Sequence, residues 1–392
     1  MYDTKNYAKI SLSALAHNYR LLCRHVAGGS SPARPICVVK ADAYGHGMTA
    51  CVRALVAAGA DFFAVSNIAE ALEVRRAAPS ADIMILSYTR PANAPLLAEN
   101  RIIQTVHNKN YAVYLHTALD AAKASGVSPK DARLSVHLKL DSGMNRLGFP
   151  LNDLDFERSI DEILEISVLA NLSVEAAFTH FSSADEPDSP LTDMQNARFR
   201  RALAALKERG LPLAAHAANS AAAIRFGSMG YDYVRLGIAL YGISPVDESF
   251  LSGLCPVMGL YSSISEIHLL RKGETVSYGA TFSAPKDTRI ATVSIGYADG
   301  LLRMAGKGGS LIVDGVPLPI VGRICMDQCM IDLGDVEAYE GDRVVVYDSR
   351  GVNLRDLARA AGTIPYELLC LTGRRVSRRY VNEMLSDTPD LS

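Results

Sequence analysis

Between Ile36 and Leu236 short apolar runs, many of them β-branched, alternate with longer stretches of helical period. The runs fall at 36–39, 62–65, 83–86, 102–106, 134–140, 174–179, 213–217 and 231–236. Runs with no polar alternation read as strands buried on both faces. The helical stretches lie at 48–58, 67–77, 110–124, 151–169 and 191–209, with Gly59, Gly126 and Gly210 where helices stop. Strands that alternate with helices pair in parallel, and eight such units in about 240 residues predict a (β/α)8, TIM-type barrel. A doubly wound open sheet is the alternative on pattern alone. Ahead of the first run, Leu12, Leu15, Tyr19, Leu22 and Val26 recur at three- and four-residue steps, which predicts a helix over 10–26 with Ser11 or Ser13 as its cap.

Beyond Pro245 the pattern changes to short β-type runs at 262–270, 274–278, 289–295, 310–313, 319–324, 330–333 and 343–346. Lys272-Gly273, Asp314-Gly315 and Gly341-Asp342 supply turns between them. A short helix is expected at 353–361, another helical turn at 365–371, and then a basic, exposed end. A chain of 392 residues exceeds what one core usually holds. Two domains are therefore expected, 1–245 as the barrel and 246–392 as a mostly-β domain.

Composition removes several function classes. Forty Lys and Arg stand against 42 acids, a net charge of -2 without long runs of either sign, so no basic footprint for nucleic acid or an anionic membrane is present. A small molecule is the expected substrate. The seven cysteines are scattered in apolar surroundings and read as reduced packing residues, with only Cys325 and Cys329 close together and no metal expected. No stretch offers the roughly 18 apolar residues of a membrane span, and the polar start carries no leader-like apolar core, so a cytoplasmic enzyme is expected.

A barrel places its chemistry at the carboxyl ends of its strands. Lys40 follows the first run; Lys139, Asp141 and Arg146 follow the fifth; His180 the sixth; His216, Asn219 and Ser220 the seventh; Arg235 and Gly237 the eighth. Any one of these alone reads equally well as a satisfied core or surface group. Their shared bias to one end of the strands points to a site. A lysine that ends an apolar strand more often snorkels to solvent; if buried there, its ammonium should be paired, or neutralised as a Schiff base with a carbonyl cofactor. Asn219, Ser220 and the Gly237-Ile238 backbone fall where such barrels commonly hold phosphate.

Several segments in order resemble the alanine racemases. They are Val39-Lys40-Ala41-Asp42-Ala43-Tyr44-Gly45-His46-Gly47, Lys139 to Gly148, Thr179-His180-Phe181, His216-Ala217-Ala218-Asn219-Ser220, Val234-Arg235-Leu236-Gly237, Val276-Ser277-Tyr278-Gly279, Ile295-Gly296-Tyr297-Ala298-Asp299-Gly300 and Gly322-Arg323-Ile324-Cys325-Met326-Asp327. The resemblance covers nearly the whole chain. It implies a barrel that carries pyridoxal 5'-phosphate (PLP), a C-terminal β domain, a head-to-tail homodimer, and interconversion of L- and D-alanine for peptidoglycan. One departure is Ser377, where the family pattern leads us to expect proline, with an effect confined to local chain stiffness.

Racemisation moves a proton off one face of a planar carbanion and back onto the other, so two bases must flank it. By resemblance they are Lys40, which also carries PLP, and Tyr278. Tyrosine ordinarily titrates near 10, so Tyr278 needs cationic or hydrogen-bonding neighbours, and His180 and Arg235 look like that network. Arg235 resembles the arginine that faces the pyridine nitrogen, which should limit side reactions such as transamination. Arg146 looks like the arginine at the phenolic oxygen, and Lys139 occupies the position that is a carbamate in some relatives. Tyr44, Asn219, Ser220, Gly237, Ile238 and Tyr366 are similar to the phosphate-holding set; Met326 and Tyr297 look like substrate contacts from the other subunit. Three rivals follow. A serine or broad-specificity racemase would differ in pocket volume, and Tyr366 favours a small substrate. A PLP decarboxylase would carry an acid at the pyridine nitrogen. A non-catalytic PLP carrier would lack the second domain and the Tyr278 segment.

Overall fold

The computed structural model describes residues 5–27, 33–348 and 352–383; residues 1–4 and 384–392, the outer ends of the two expected domains, lie outside the described residues. Eight parallel strands form a ring: Arg34–Val38, Phe62–Val65, Asp82–Ile85, Ile102–Val106, Leu134–Asp141, Leu172–Phe178, Ala214–His216 and Tyr233–Leu236. Each pairs with the next, and Tyr233–Leu236 returns to the first through Tyr233↔Arg34 and Leu236↔Cys37. Closure rules out the open sheet and leaves no barrel edge unpaired. All four residues of Phe62–Val65 are buried, which is why that run carries no alternation.

The helices follow their periodic stretches. Asn67 and Asn108 cap Ile68–Ala77 and Lys109–Ala124 by accepting from the Glu70 and Tyr111 backbone N–H groups. The 151–169 stretch contracts to Phe156–Ser167, and Ala94–Glu99 and Ser220–Phe226 are helices too short to show a period.

The start of the chain corrects the expected helix over 10–26. Tyr7–Ser11 is a strand and the helix is Leu12–Ala27, capped by the Ser11 hydroxyl on Ala14 N–H. That strand does not join the barrel. It lies antiparallel to Met258–Leu270 and parallel to Ser377–Val381, so Tyr7–Ser11 belongs to the second sheet.

The second unit is an eight-stranded sheet in which Met258–Leu270 pairs with Thr288–Val293 as well as with Arg343–Tyr347, so that six of its strands close into a second ring and Tyr7–Ser11 and Ser377–Val381 extend from it. Two expectations shift here. The 274–278 run keeps only Thr275–Val276 as strand, and Tyr278 begins a one-turn 3-10 helix, Tyr278–Ala280. Of the expected exposed basic end, Arg374, Arg375 and Arg379 are exposed, whereas Arg378 is half-buried and donates to the carbonyls of Gly45, Thr372, Gly373 and Val376. At Ser377 the backbone N–H reaches Asn6 O at 3.4 Å, a bond that proline could not make. Ser377 therefore affects strand pairing as well as stiffness. Among the described residues, no helix is long and apolar enough to cross a membrane.

Candidate active site

A cavity of roughly 980 Å³ opens at the carboxyl ends of the barrel strands. Lys40, Tyr44, Lys139, Arg146, His180, Asn219, Ser220, Arg235, Gly237, Ile238 and Tyr366 all line it. Tyr278, Met326 and Tyr297 do not.

Lys40 is placed by an unusual turn. Ala41, Asp42, Ala43 and Tyr44 all take left-handed backbone angles, with φ of 54°, 54°, 54° and 53°. For L-residues each such position costs roughly 1–2 kcal/mol, so the turn needs outside support. Glu70 grips its start, one carboxylate oxygen accepting from Ala41 N–H at 2.9 Å and the other from Ser66 N–H at 2.8 Å. Buried His46 donates from Nδ1 to the carbonyls of Ala43 and Tyr44, both at 2.9 Å. From the second domain, Arg378 holds Gly45 O at 3.0 Å. Gly45 itself is required, because a Cβ there would lie 2.1 Å from Leu369 O. The turn sends Lys40 and the Tyr44 phenol into the cavity from adjacent corners.

Charge at the site is mostly positive. Lys40, Lys139, Arg146 and Arg235 line the cavity against Asp185 and Glu367. Burial, then the Arg146 charge, lowers the Lys40 pKa and makes the free amine more accessible. Lys139 is pressed down to about 7 by burial and by Arg235 and Arg146, with Asp141 opposing. Its Nζ donates to Leu140 O at 3.0 Å and stands 5.4 Å from the Phe178 ring centre.

Arg235 is buried at the end of the eighth strand, where burial lowers it to about 9. Its guanidinium donates to Thr179 O at 2.7 Å, Ala217 O at 2.9 Å and His216 Nδ1 at 2.7 Å, and contacts His180 Nδ1 at 3.2 Å. Burial and the surrounding cations push His180 well below its usual range. An arginine can only donate, so His180 Nδ1 accepts and its proton sits on Nε2.

The far side of the cavity suits a phosphate. Gly237 N–H donates to Ser220 Oγ at 2.8 Å, and a Cβ on Gly237 would come 2.9 Å from the Tyr44 hydroxyl. The cradle therefore exists only because position 237 lacks a side chain. Asn219 contributes less directly, since its Oδ1 already caps Ser220–Phe226 on Ala222 N–H. The Tyr366 ring stands 6.4 Å from that of Tyr44, and burial, with Asp185, pushes its hydroxyl up to about 12. A lysine with a lowered pKa, a side-chain-free polar cradle and a cationic lining together fit PLP.

Glu70 and Arg378 have no signal in the sequence. Glu70 sits in an ordinary helix start, and Arg378 acts across 333 residues of chain. Tyr278, by contrast, is placed away from the cavity. It is 70% exposed and borders a separate recess with His268, Ser277 and Cys325, while Met326 and Tyr297 are 53% and 43% exposed.

Residues 10–245 match the model for the N-terminal domain of alanine racemase and 257–380 the model for its C-terminal domain. The alanine racemase of Desulforamulus reducens is 37% identical over 380 residues, 96% of this chain and 98% of that one. Among solved structures, alanine racemase from Streptomyces coelicolor A3(2) superposes with a TM-score of 0.86 at 37% identity, over 97% of this chain and 98% of that one. The Bacillus anthracis enzyme, solved with bound L-Ala-P, gives 0.85 at 31% identity, over 98% of each chain. Matched in both domains and over nearly its full length, the chain belongs to the alanine racemase family of PLP-dependent isomerases.

Proposed function

We propose that the protein interconverts L- and D-alanine with two bases drawn from different subunits, Lys40 of one chain and Tyr278 of the partner subunit, in a head-to-tail homodimer. The observation that carries the reading is the position of Tyr278. A general base must come within hydrogen-bond reach of its proton, yet Tyr278 is 70% exposed and absent from its own cavity, while Tyr366 of the same domain lines it. Exposed Met326 and Tyr297 are the further groups that a partner would bring to the substrate.

When bound, PLP supplies the electron sink for the charge left on the α-carbon. Lys40 would hold it, and its amine, lowered in pKa by burial and Arg146, would take or return the proton on one face. Tyr278 Oη of the partner subunit serves the other face, with the His180 Nε2–H as the donor that steadies its oxyanion. Arg235 would present a cation to the pyridine nitrogen. Ser220, Gly237, Ile238, Asn219 and Tyr44 would hold the phosphate, and Tyr366 would close over the small side chain. Arg146 would bind the phenolic oxygen, with Lys139 as a carbamate. In this reading the barrel, within residues 1–245 but without Tyr7–Ser11, would hold the cofactor, and the second unit would lend Tyr366 to its own cavity and a base to the partner. The product serves peptidoglycan synthesis in the cytoplasm.

Subunit mixing tests the proposal. Lys40→Ala and Tyr278→Phe should each be nearly inactive. Random exchange of equal amounts makes about half the dimers hybrid, each with one intact site of two, so activity should return to roughly a quarter of wild type. No recovery, after exchange has been verified with differently tagged chains, would place both bases on one chain.

A further inference from the structure

We propose that His137, beneath the cavity inside the barrel, is a positioning residue that holds the pyridine-facing Arg235 through His216. The inference rests on the role given to Arg235 above. Arg235 Nη1 donates to His216 Nδ1 at 2.7 Å, and His216 Nε2 lies 3.1 Å from His137 Nδ1, all three side chains being buried. A guanidinium has no lone pair to offer, so His216 Nδ1 must accept. His216 is held neutral by burial and by Arg235, and its single proton is therefore on Nε2. That proton needs an acceptor in the buried interior, and His137 Nδ1 lies 3.1 Å from the nitrogen that carries it.

The barrel register makes the chain possible. His137 lies two residues below Lys139 on the same face of the fifth strand, while Tyr233 on the eighth is paired with His216 on the seventh. Aromatic rings fix both imidazoles. Phe178 stacks on His216 at 4.7 Å and 3°, and Phe62 meets His137 edge-on at 6.2 Å. Arg235 fixes the His216 tautomer, and His137 Nδ1, as acceptor for the His216 Nε2 proton, holds that ring in the position from which its Nδ1 orients the arginine. His137 touches neither substrate nor cofactor.

The test uses the full-length holoenzyme labelled with ¹⁵N-histidine, the His216 signals being assigned by their loss in His216→Asn. Wild type should show His216 unprotonated at Nδ1 and protonated at Nε2. In His137→Leu the hydrogen-bonded Nε2–H signature should be lost, and pyridoxamine phosphate formed per racemisation turnover should rise roughly fivefold, the size of one neutral hydrogen bond. His137→Asn, whose Oδ1 can stand where Nδ1 stood, should restore both. Protonation of wild-type His216 on Nδ1 would overturn the proposal, as would a leucine variant unchanged in both readouts or an asparagine variant no better than leucine. If the leucine variant does not fold, the wild-type spectrum and the asparagine variant decide. The tautomer is read whether or not alanine is racemised, so failure of the racemase reading remains separable.

Discussion

Lys139 offers the sharpest quantitative prediction. An ordinary lysine, at 10.5, is neutral in about one molecule in three thousand at pH 7, but a group at about 7 is half neutral, a gain on the order of a thousandfold. Only the neutral amine attacks carbon dioxide; its lone pair forms the N–C bond and a proton leaves to water, giving a carbamate. The causes of the shift then favour the product. Arg235 and Arg146, which repel the ammonium, attract the new anion. Protein saturated with ¹³C-bicarbonate at pH 8 should show one enriched carbamate resonance that disappears in Lys139→Met. The sign of the pH dependence follows from the lowered pKa: the neutral fraction grows as pH rises through about 7, so the resonance should fade below it. Loss of a charge-assisted contact worth about 1.5–3 kcal/mol should lower kcat/KM of Lys139→Met roughly ten- to hundredfold. Identical spectra for wild type and Lys139→Met at pH 8 would refute the reasoning.

Other consequences can be checked directly. Borohydride reduction of the holoenzyme should fix the cofactor on the peptide that contains Lys40; recovery on another lysine would remove its assignment. Tyr366→Ala should admit serine while keeping alanine turnover, because a pocket discriminates one small added group by only about 1–3 kcal/mol. An unchanged serine-to-alanine ratio of kcat/KM would count against a role for that ring in closing the pocket. Gly45→Ala, with φ at +81° and a Cβ 2.1 Å from Leu369 O, should cost more than about 2 kcal/mol in urea denaturation. Wild-type stability in that variant would mean that Leu369 yields at no cost.

Much of the molecule follows from local pattern. Runs such as Phe62–Val65, buried on both faces, announce parallel strands, and their alternation with helical period specifies a barrel, because each strand bonds to the strands on either side and each helix has one apolar face to bury. The strand ends then bring Lys40, Lys139, His180 and Arg235 into one cavity, as the barrel geometry requires. Tertiary structure decided what depends on distant partners. Ile10 and Ser11 read locally as the start of a helix, but the strand Tyr7–Ser11 that holds them finds its hydrogen bonds on Met258–Leu270 and Ser377–Val381, two strands more than 240 residues away. Ala41 to Tyr44 have no composition that asks for left-handed angles; Glu70, His46 and Arg378 impose them from outside. Tyr278, marked by its motif, is kept out of its own cavity by the placement of the second domain. A side chain's period reports which face of its own element is buried, whereas its partners are set by how the elements pack, and no window along the chain contains that information.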